Sequence, residues 1–307
     1  MGPTALCVAA VSAAERTDIE FAAHDGTTLR GWLYRPQDGA PHPGIVMSHG
    51  FSATKEMALG PYADILSAGG LAVLVYDHRC LGASDGEPRQ LVDPWIQARD
   101  TIAALDWLGT HEGIDPDRLG LWGSSFSGGH ALVVGAVDER VRAVVANVPF
   151  VGHPDGAATD DDAFDRLAEG VRTRVHRADD CMGPLPVVTE PGHDGGAVLP
   201  QSEAAEWFLD EGRRTGSRWQ NRVFLPGGSA MGDFDPAIVL SRLRTPTLLV
   251  LASEDRVAPT SAGVAAFDLL PGTRELLVID GHHFTPYAGE ALAQSATAAL
   301  AFYRAWL

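Results

Sequence analysis

Leu121-Trp122-Gly123-Ser124-Ser125-Phe126-Ser127-Gly128-Gly129 decides how this chain folds. The apolar run Leu119 to Trp122 leads into it, and a helix-forming run, Gly128 to Val134, leads out. A serine on so tight a strand-to-helix turn is lifted above the sheet in a strained conformation. The residues two before and two after it must then be small, or strand and helix collide. Gly123 and Ser127 meet that requirement and make Ser125 the candidate nucleophile. A shifted frame, Ser125-Phe126-Ser127-Gly128-Gly129, puts Ser127 at the apex instead, but carries the strand two residues further into polar sequence. The bland alternative is a tight turn with incidental serines.

On both sides of this turn, apolar β-rich runs recur at Gly44 to Ser48, Leu71 to Tyr76, Val141 to Asn147, Thr247 to Leu251 and Glu275 to Ile279. Stretches of helical length separate them. Near-continuous apolar strands are what a parallel sheet needs when helices cover both its faces. Trp95 to Leu108 is rich in helix formers, and Ala288, Leu292, Ala296, Ala299, Tyr303 and Trp306 recur at steps of three or four. Upstream, Asp18-Ile19-Glu20-Phe21 alternates, Asp25-Gly26 turns, and Thr28 to Tyr34 returns as the second arm of a hairpin. The fold class is therefore α/β, a doubly wound, mostly parallel sheet with its ligand site beyond the carboxyl ends of the strands. From Val151 to Arg244 the rhythm breaks into Asp-, Gly-, Pro- and His-rich sequence with two short amphipathic pieces, Ala163 to Arg174 and Glu203 to Arg214. The expected organisation is an arm at 1–16, a core at 17–150 and 245–307, and an inserted cap at 151–244.

The 307 residues are 45% hydrophobic and 21% charged, a globular composition able to bury a large core. Forty acidic residues against 23 basic ones give a net charge of -17, which repels polyanions, so neither nucleic acid nor a membrane surface is expected as a partner. Lys55 is the only lysine, a bias with no chemical reading of its own. Cys7, Cys80 and Cys181 are odd in number and far apart, against a disulfide framework or zinc site and in favour of a reducing cytoplasm. Ala5 to Ala14 is too short and too polar to span a bilayer. The assembly is left open, a homodimer included.

The turn around Ser125 resembles the nucleophile elbow of the α/β-hydrolase superfamily, with Ser127 standing where the usual Gly-x-Ser-x-Gly ends in glycine. That resemblance implies a Ser, acid, His order along the chain, since a serine hydroxyl needs a histidine base oriented by a carboxylate. Ala252-Ser253-Glu254-Asp255-Arg256-Val257 looks like the acid loop and nominates Asp255, with Glu254 as the runner-up. Gly281-His282-His283-Phe284 looks like the histidine loop and nominates His283 over His282. For the oxyanion hole the resemblance implies the backbone N–H groups of Phe126 and, from Ser48-His49-Gly50-Phe51, of Phe51, with His49 shaping the turn. Asp77-His78-Arg79, with Gly82 and Ser84-Asp85, is similar to a segment of the same family whose Asp and Arg brace neighbouring loops, which implies a structural ion pair. His153, His176 and His193, with Asp160 to Asp162, Asp179 and Asp180, match no compact metal site, so no metal is expected, and the resemblance implies no cofactor.

Leu29 to Pro36, Ser48 to Glu56 and Leu81 to Arg89 sharpen the resemblance to bacterial α/β-hydrolases similar to dienelactone hydrolases and fungal polyketide transferases. It implies hydrolysis of a carboxylic ester, thioester or lactone of a small molecule through an acyl-Ser125 intermediate. Acyl transfer, cyclisation or elimination in polyketide-type biosynthesis is the second reading, and a catalytically silent ligand-binding protein the third.

Overall fold

The computed structural model describes residues 15–156, 161–175, 180–192 and 195–307. Cys7 and Ala5 to Ala14 lie outside them, as do His176, His193, Asp160 and Asp179. The chain opens with the expected hairpin, β1 (Glu15–Ala22) and β2 (Thr28–Arg35), paired antiparallel. Strand β3 (His42–Ser48), helix α1 (Leu59–Ala68), strand β4 (Ala72–Tyr76), helix α2 (Pro94–Thr110) and strand β5 (Ile114–Ser124) follow. Helix α3 (Phe126–Val137) and strand β6 (Val141–Asn147) complete the first half of the sheet. The stretch after it holds α4 (Asp161–Thr173), β7 (Cys181–Leu185), α5 (Ser202–Arg214), β8 (Val223–Pro226), α6 (Ala230–Asp233) and α7 (Ala237–Leu240). Strand β9 (Thr247–Ala252), helix α8 (Thr260–Leu269), strand β10 (Arg274–Ile279) and helix α9 (Gly289–Trp306) close the chain.

The eight-stranded sheet runs β1-β2-β4-β3-β5-β6-β9-β10, and every pairing from β4 to β10 is parallel. Side-chain alternation sorts each central strand between two cores. Ala72, Leu74 and Tyr76 of β4 face the layer of α2, α3 and α8, whereas Val73 and Val75 face α1 and α9. Helix α2 starts where it does because Asp93 accepts hydrogen bonds from the N–H groups of Trp95 and Ile96, with Pro94 in the first turn. Strand β10 departs from the expected two-faced burial. It is an edge strand with one neighbour, and Leu276 and Val278 are exposed.

The stretch 151–244 divides in two. Helix α4 presents Ala163, Leu167 and Val171 at helical spacing, and Leu167 and Val171 join Phe234, Ala237, Val239, Leu240 and Leu243 in the core beneath the sheet face of α2 and α3. Gly170 makes this docking possible, since a Cβ there would lie 2.4 Å from the Trp95 ring. The middle portion instead rises over the carboxyl ends of the strands. Val187, Val188, Ala204, Phe208 and Val223 form a third cluster with Phe51, Met57, Phe284 and Tyr287.

Candidate active site

Ser125 sits at the end of β5 with φ 52° and ψ -117°, a strained conformation for a residue with a side chain. Its N–H donates to Asn147 O and its carbonyl accepts from Gly128 and Phe150 N–H, so the surrounding backbone holds the turn open. Gly123 is required here: a Cβ on it would lie 2.0 Å from Ser127 O. Gly50 approaches from β3, where a Cβ would stand 3.0 Å from that of Ser125.

The structure brings Ser125, His283 and Asp255 together from three strand ends. His283 Nε2 is 3.0 Å from Ser125 Oγ, and its Nδ1 is 2.6 Å from Asp255 Oδ2. Asp255 Oδ1 accepts from the N–H groups of Val257 and Ala258, which fixes the carboxylate. An ionised carboxylate can only accept, so His283 carries its proton on Nδ1 and presents a bare Nε2 to the serine hydroxyl. His283 is 1% exposed. The two runners-up stand apart: Glu254 is exposed, and His282 is exposed with its Nδ1 engaged by Phe284 N–H. Ser127 lies buried below the turn and reaches no such relay.

Phe126 begins helix α3, so its N–H has no acceptor inside the helix. Phe51 N–H donates to no described residue either. Both belong to turns adjoining Ser125, and their rings meet edge to face with centroids 5.5 Å apart. The loop after Phe51 is anchored by Lys55, whose N–H and ammonium both reach Asp77, at 2.8 and 2.7 Å. Burial alone would depress the Lys55 pKa, but Asp77 and Glu56 leave it raised. The lone lysine, mute as composition, thus ties the loop to the end of β4. Asp77 and Arg79 do not pair with each other: Arg79 bridges Asp100 and Asp25.

Beneath the turn lies a group that motif reasoning missed. His49, His78 and His130 are each 1% exposed, and burial lowers the pKa of all three, that of His130 to about 3. Ser127 Oγ is 2.9 Å from His78 Nε2 and 3.2 Å from His130 Nδ1. One signal was available, since Ser127 and His130 stand three apart on one helix and so share a face. Among the described residues no group of three or more His, Cys, Asp or Glu is placed to hold a metal ion. His153, weighed as a ligand, pairs with Asp235 at 3.1 Å on the surface.

Above Ser125 is a cavity lined by Phe51, Met57, Leu199, Trp207, Phe208, Val257, Phe284 and Tyr287. Trp207, on α5, stacks on Phe284 at 4.9 Å with the ring planes 22° apart. The free space is about 30 Å³, where one water needs roughly 10–15 Å³. Among the described residues no carboxylate, lysine or arginine lines it. Among the described residues no helix is long and apolar enough to cross a membrane.

Comparison with known proteins places this geometry. The family model for X-Pro dipeptidyl-peptidase (S15 family) matches residues 25–285. The chain is 31% identical to the quorum-quenching protein AidA of Acinetobacter baumannii over 89% of its length and 90% of the relative's. It is 31% identical to the polyketide transferase af380 of Aspergillus fumigatus, covering 94% and 98% of the two chains. With the thiohydrolase aneE of Aspergillus aculeatus it shares 30% identity over 85% and 83%. The crystal structure of the α/β hydrolase GrgF from Penicillium sp. sh18 superposes with a TM-score of 0.72 at 27% identity, covering 95% of this chain and 99% of that one.

Proposed function

This chain belongs to the X-Pro dipeptidyl-peptidase (S15) family of α/β hydrolases, and on that premise we propose that it cleaves a small-molecule thioester, ester or lactone through an acyl-Ser125 intermediate. The observation that carries the reading is the continuous relay from Ser125 Oγ through His283 to Asp255, at 3.0 and 2.6 Å. His283 Nε2 takes the hydroxyl proton as Ser125 attacks the carbonyl carbon, and Asp255 stabilises the imidazolium. The N–H groups of Phe51 and Phe126 receive the oxyanion, each worth about 3 kcal/mol in such sites. His283 then protonates the departing thiolate or alkoxide. Water enters, His283 removes its proton, and the acid leaves as Ser125 regains its hydrogen.

The cavity favours an uncharged acyl group over the free amino terminus that a dipeptidyl substrate presents. A buried ammonium needs a carboxylate partner, and among the described residues no carboxylate lines this cavity. Thiohydrolase and polyketide transferase relatives support acyl chemistry on the same site. A second reading, acyl transfer, draws on the transferase relatives and on the apolar roof that Trp207, Phe208, Phe284 and Tyr287 set over Ser125 against water. The scattered cysteines support a reducing compartment.

A fluorophosphonate probe is expected to label Ser125, located by peptide mass, and to leave Ser125→Ala unlabelled. Wild-type turnover of p-nitrophenyl acetate persisting in Ser125→Ala would overturn the assignment. Adding alcohols and reading product mass separates the two reactions, because formation of free acid alone removes the transferase reading.

A further inference from the structure

Ser127 occupies the elbow position where the superfamily pattern has glycine, and its hydroxyl is engaged three ways. It donates to His49 O at 2.5 Å, which uses its single proton. His78 Nε2 at 2.9 Å and His130 Nδ1 at 3.2 Å must then both donate to it. Consistent with those tautomers, His78 Nδ1 and His130 Nε2 are bare and have no partner among the described residues. His49 is fixed as well. Its Nε2 accepts from the N–H of His78 at 3.2 Å, so its proton sits on Nδ1, which donates to Gly50 O at 3.0 Å.

The carbonyls of His49 and Gly50 are therefore both held from the histidine side. A trans peptide is planar, with its N–H directed opposite to its carbonyl. Holding the Gly50 carbonyl thus turns Phe51 N–H away from the histidine ring, and holding the His49 carbonyl does the same for Gly50 N–H. We propose that Ser127, braced by His78 and His130, is a positioning residue for the oxyanion loop. It fixes the His49–Gly50 peptide directly, and through it the next peptide, whose carbonyl is held by His49 Nδ1 and Ala53 N–H and whose Phe51 N–H is aimed at the oxyanion. This rests on the acyl-Ser125 reading above. A glycine at 127 would leave His49 O without this donor and two buried imidazole N–H groups without an acceptor.

The test compares Ser127→Ala and Ser127→Gly with wild type on p-nitrophenyl acetate, on labelling by a fluorophosphonate, and on inhibition by 1,1,1-trifluoroacetone, which forms a tetrahedral adduct. The expected result is a kcat lower by about 10- to 100-fold, KM within about twofold, and a trifluoroacetone inhibition constant raised by the same factor as kcat falls. An unchanged kcat would overturn the proposal. So would a reduced kcat with unaltered trifluoroacetone binding, or a change confined to KM. Labelling separates this failure from failure of the acyl-Ser125 reading, because Ser125 that labels normally keeps that reading intact whatever Ser127 does. Should the Ser127 variants not fold, His49→Asn against His49→Ala decides. The Asn amide replaces Nδ1–H toward Gly50 O, so His49→Asn should exceed His49→Ala in kcat by at least about tenfold, and equal rates would overturn the proposal.

Discussion

The floor and the roof of this cavity are built on opposite principles. Below Ser125, directional hydrogen bonds set the geometry. Asn147 O, Val257 and Ala258 N–H, Asp77, Lys55 and the three buried histidines each fix one backbone or side-chain direction. Above it, the side chains of Trp207, Phe208, Phe284 and Tyr287 meet through ring faces and edges, with the Tyr287 hydroxyl tied down to Ser124 Oγ. Hydrogen bonds are directional and lock one geometry, whereas ring contacts tolerate sliding. The floor is thus suited to chemistry that demands tenths of an ångström, and the roof to admitting one acyl group rather than another.

Breaking the floor should cost far more than breaking the roof. Ser125→Ala is expected to lower kcat on p-nitrophenyl acetate by about 10⁴- to 10⁶-fold with little change in Tm, and a loss under tenfold would dissolve the distinction. Asp255→Asn should follow at about 10⁴-fold, because an amide lets His283 take the wrong tautomer, which a pre-steady-state burst assay would register as slow acylation. Trp207→Ala should act on selectivity instead. The ratio of kcat/KM for p-nitrophenyl octanoate to that for the acetate is expected to rise roughly tenfold, the size of effect a few methylenes carry in an apolar pocket. A change confined to the acetate rate would show that Trp207 belongs with the floor.

A further effect, on stability and not on rate, concerns pH. His49, His78 and His130 are held neutral by burial, so their folded pKa values lie below the unfolded value of about 6.5. Below that pH the unfolded chain binds more protons than the folded one. Stability is therefore full above about pH 6.5 and falls as the pH drops toward about 3, where His130 itself titrates. Each histidine contributes a slope of up to about 1.4 kcal/mol per pH unit. Urea titrations at pH 7.5, 6 and 5 should show it, and His130→Phe should flatten it.

The floor was also the part most legible in the sequence. Gly123, Ser125 and the apolar run before them carry their geometry within a few residues, and the strands ending near Asp255 and His283 could be followed by their apolar runs. Ser127 was read for its size and not for its hydroxyl, because the partners of that hydroxyl, His49 and His78, are 78 and 49 residues away in the chain. The stretch 151–244 showed its amphipathic pieces but not their destinations. Ala163 to Arg174 and Glu203 to Arg214 look alike as patterns, yet one helix docks on Trp95 and the other covers Ser125. Amphipathicity states that a face will be buried and leaves open against what. Likewise β10 reads as a buried strand, since position at a sheet edge is a property of topology rather than of local composition.

Trp207 has one more consequence, for spectroscopy. Trp207 lines the cavity above Ser125 while stacking on Phe284 at 4.9 Å, so an acyl group bound there lies against the indole. The indole is consequently an intrinsic optical reporter of occupancy, set in the wall that a bound acyl group touches.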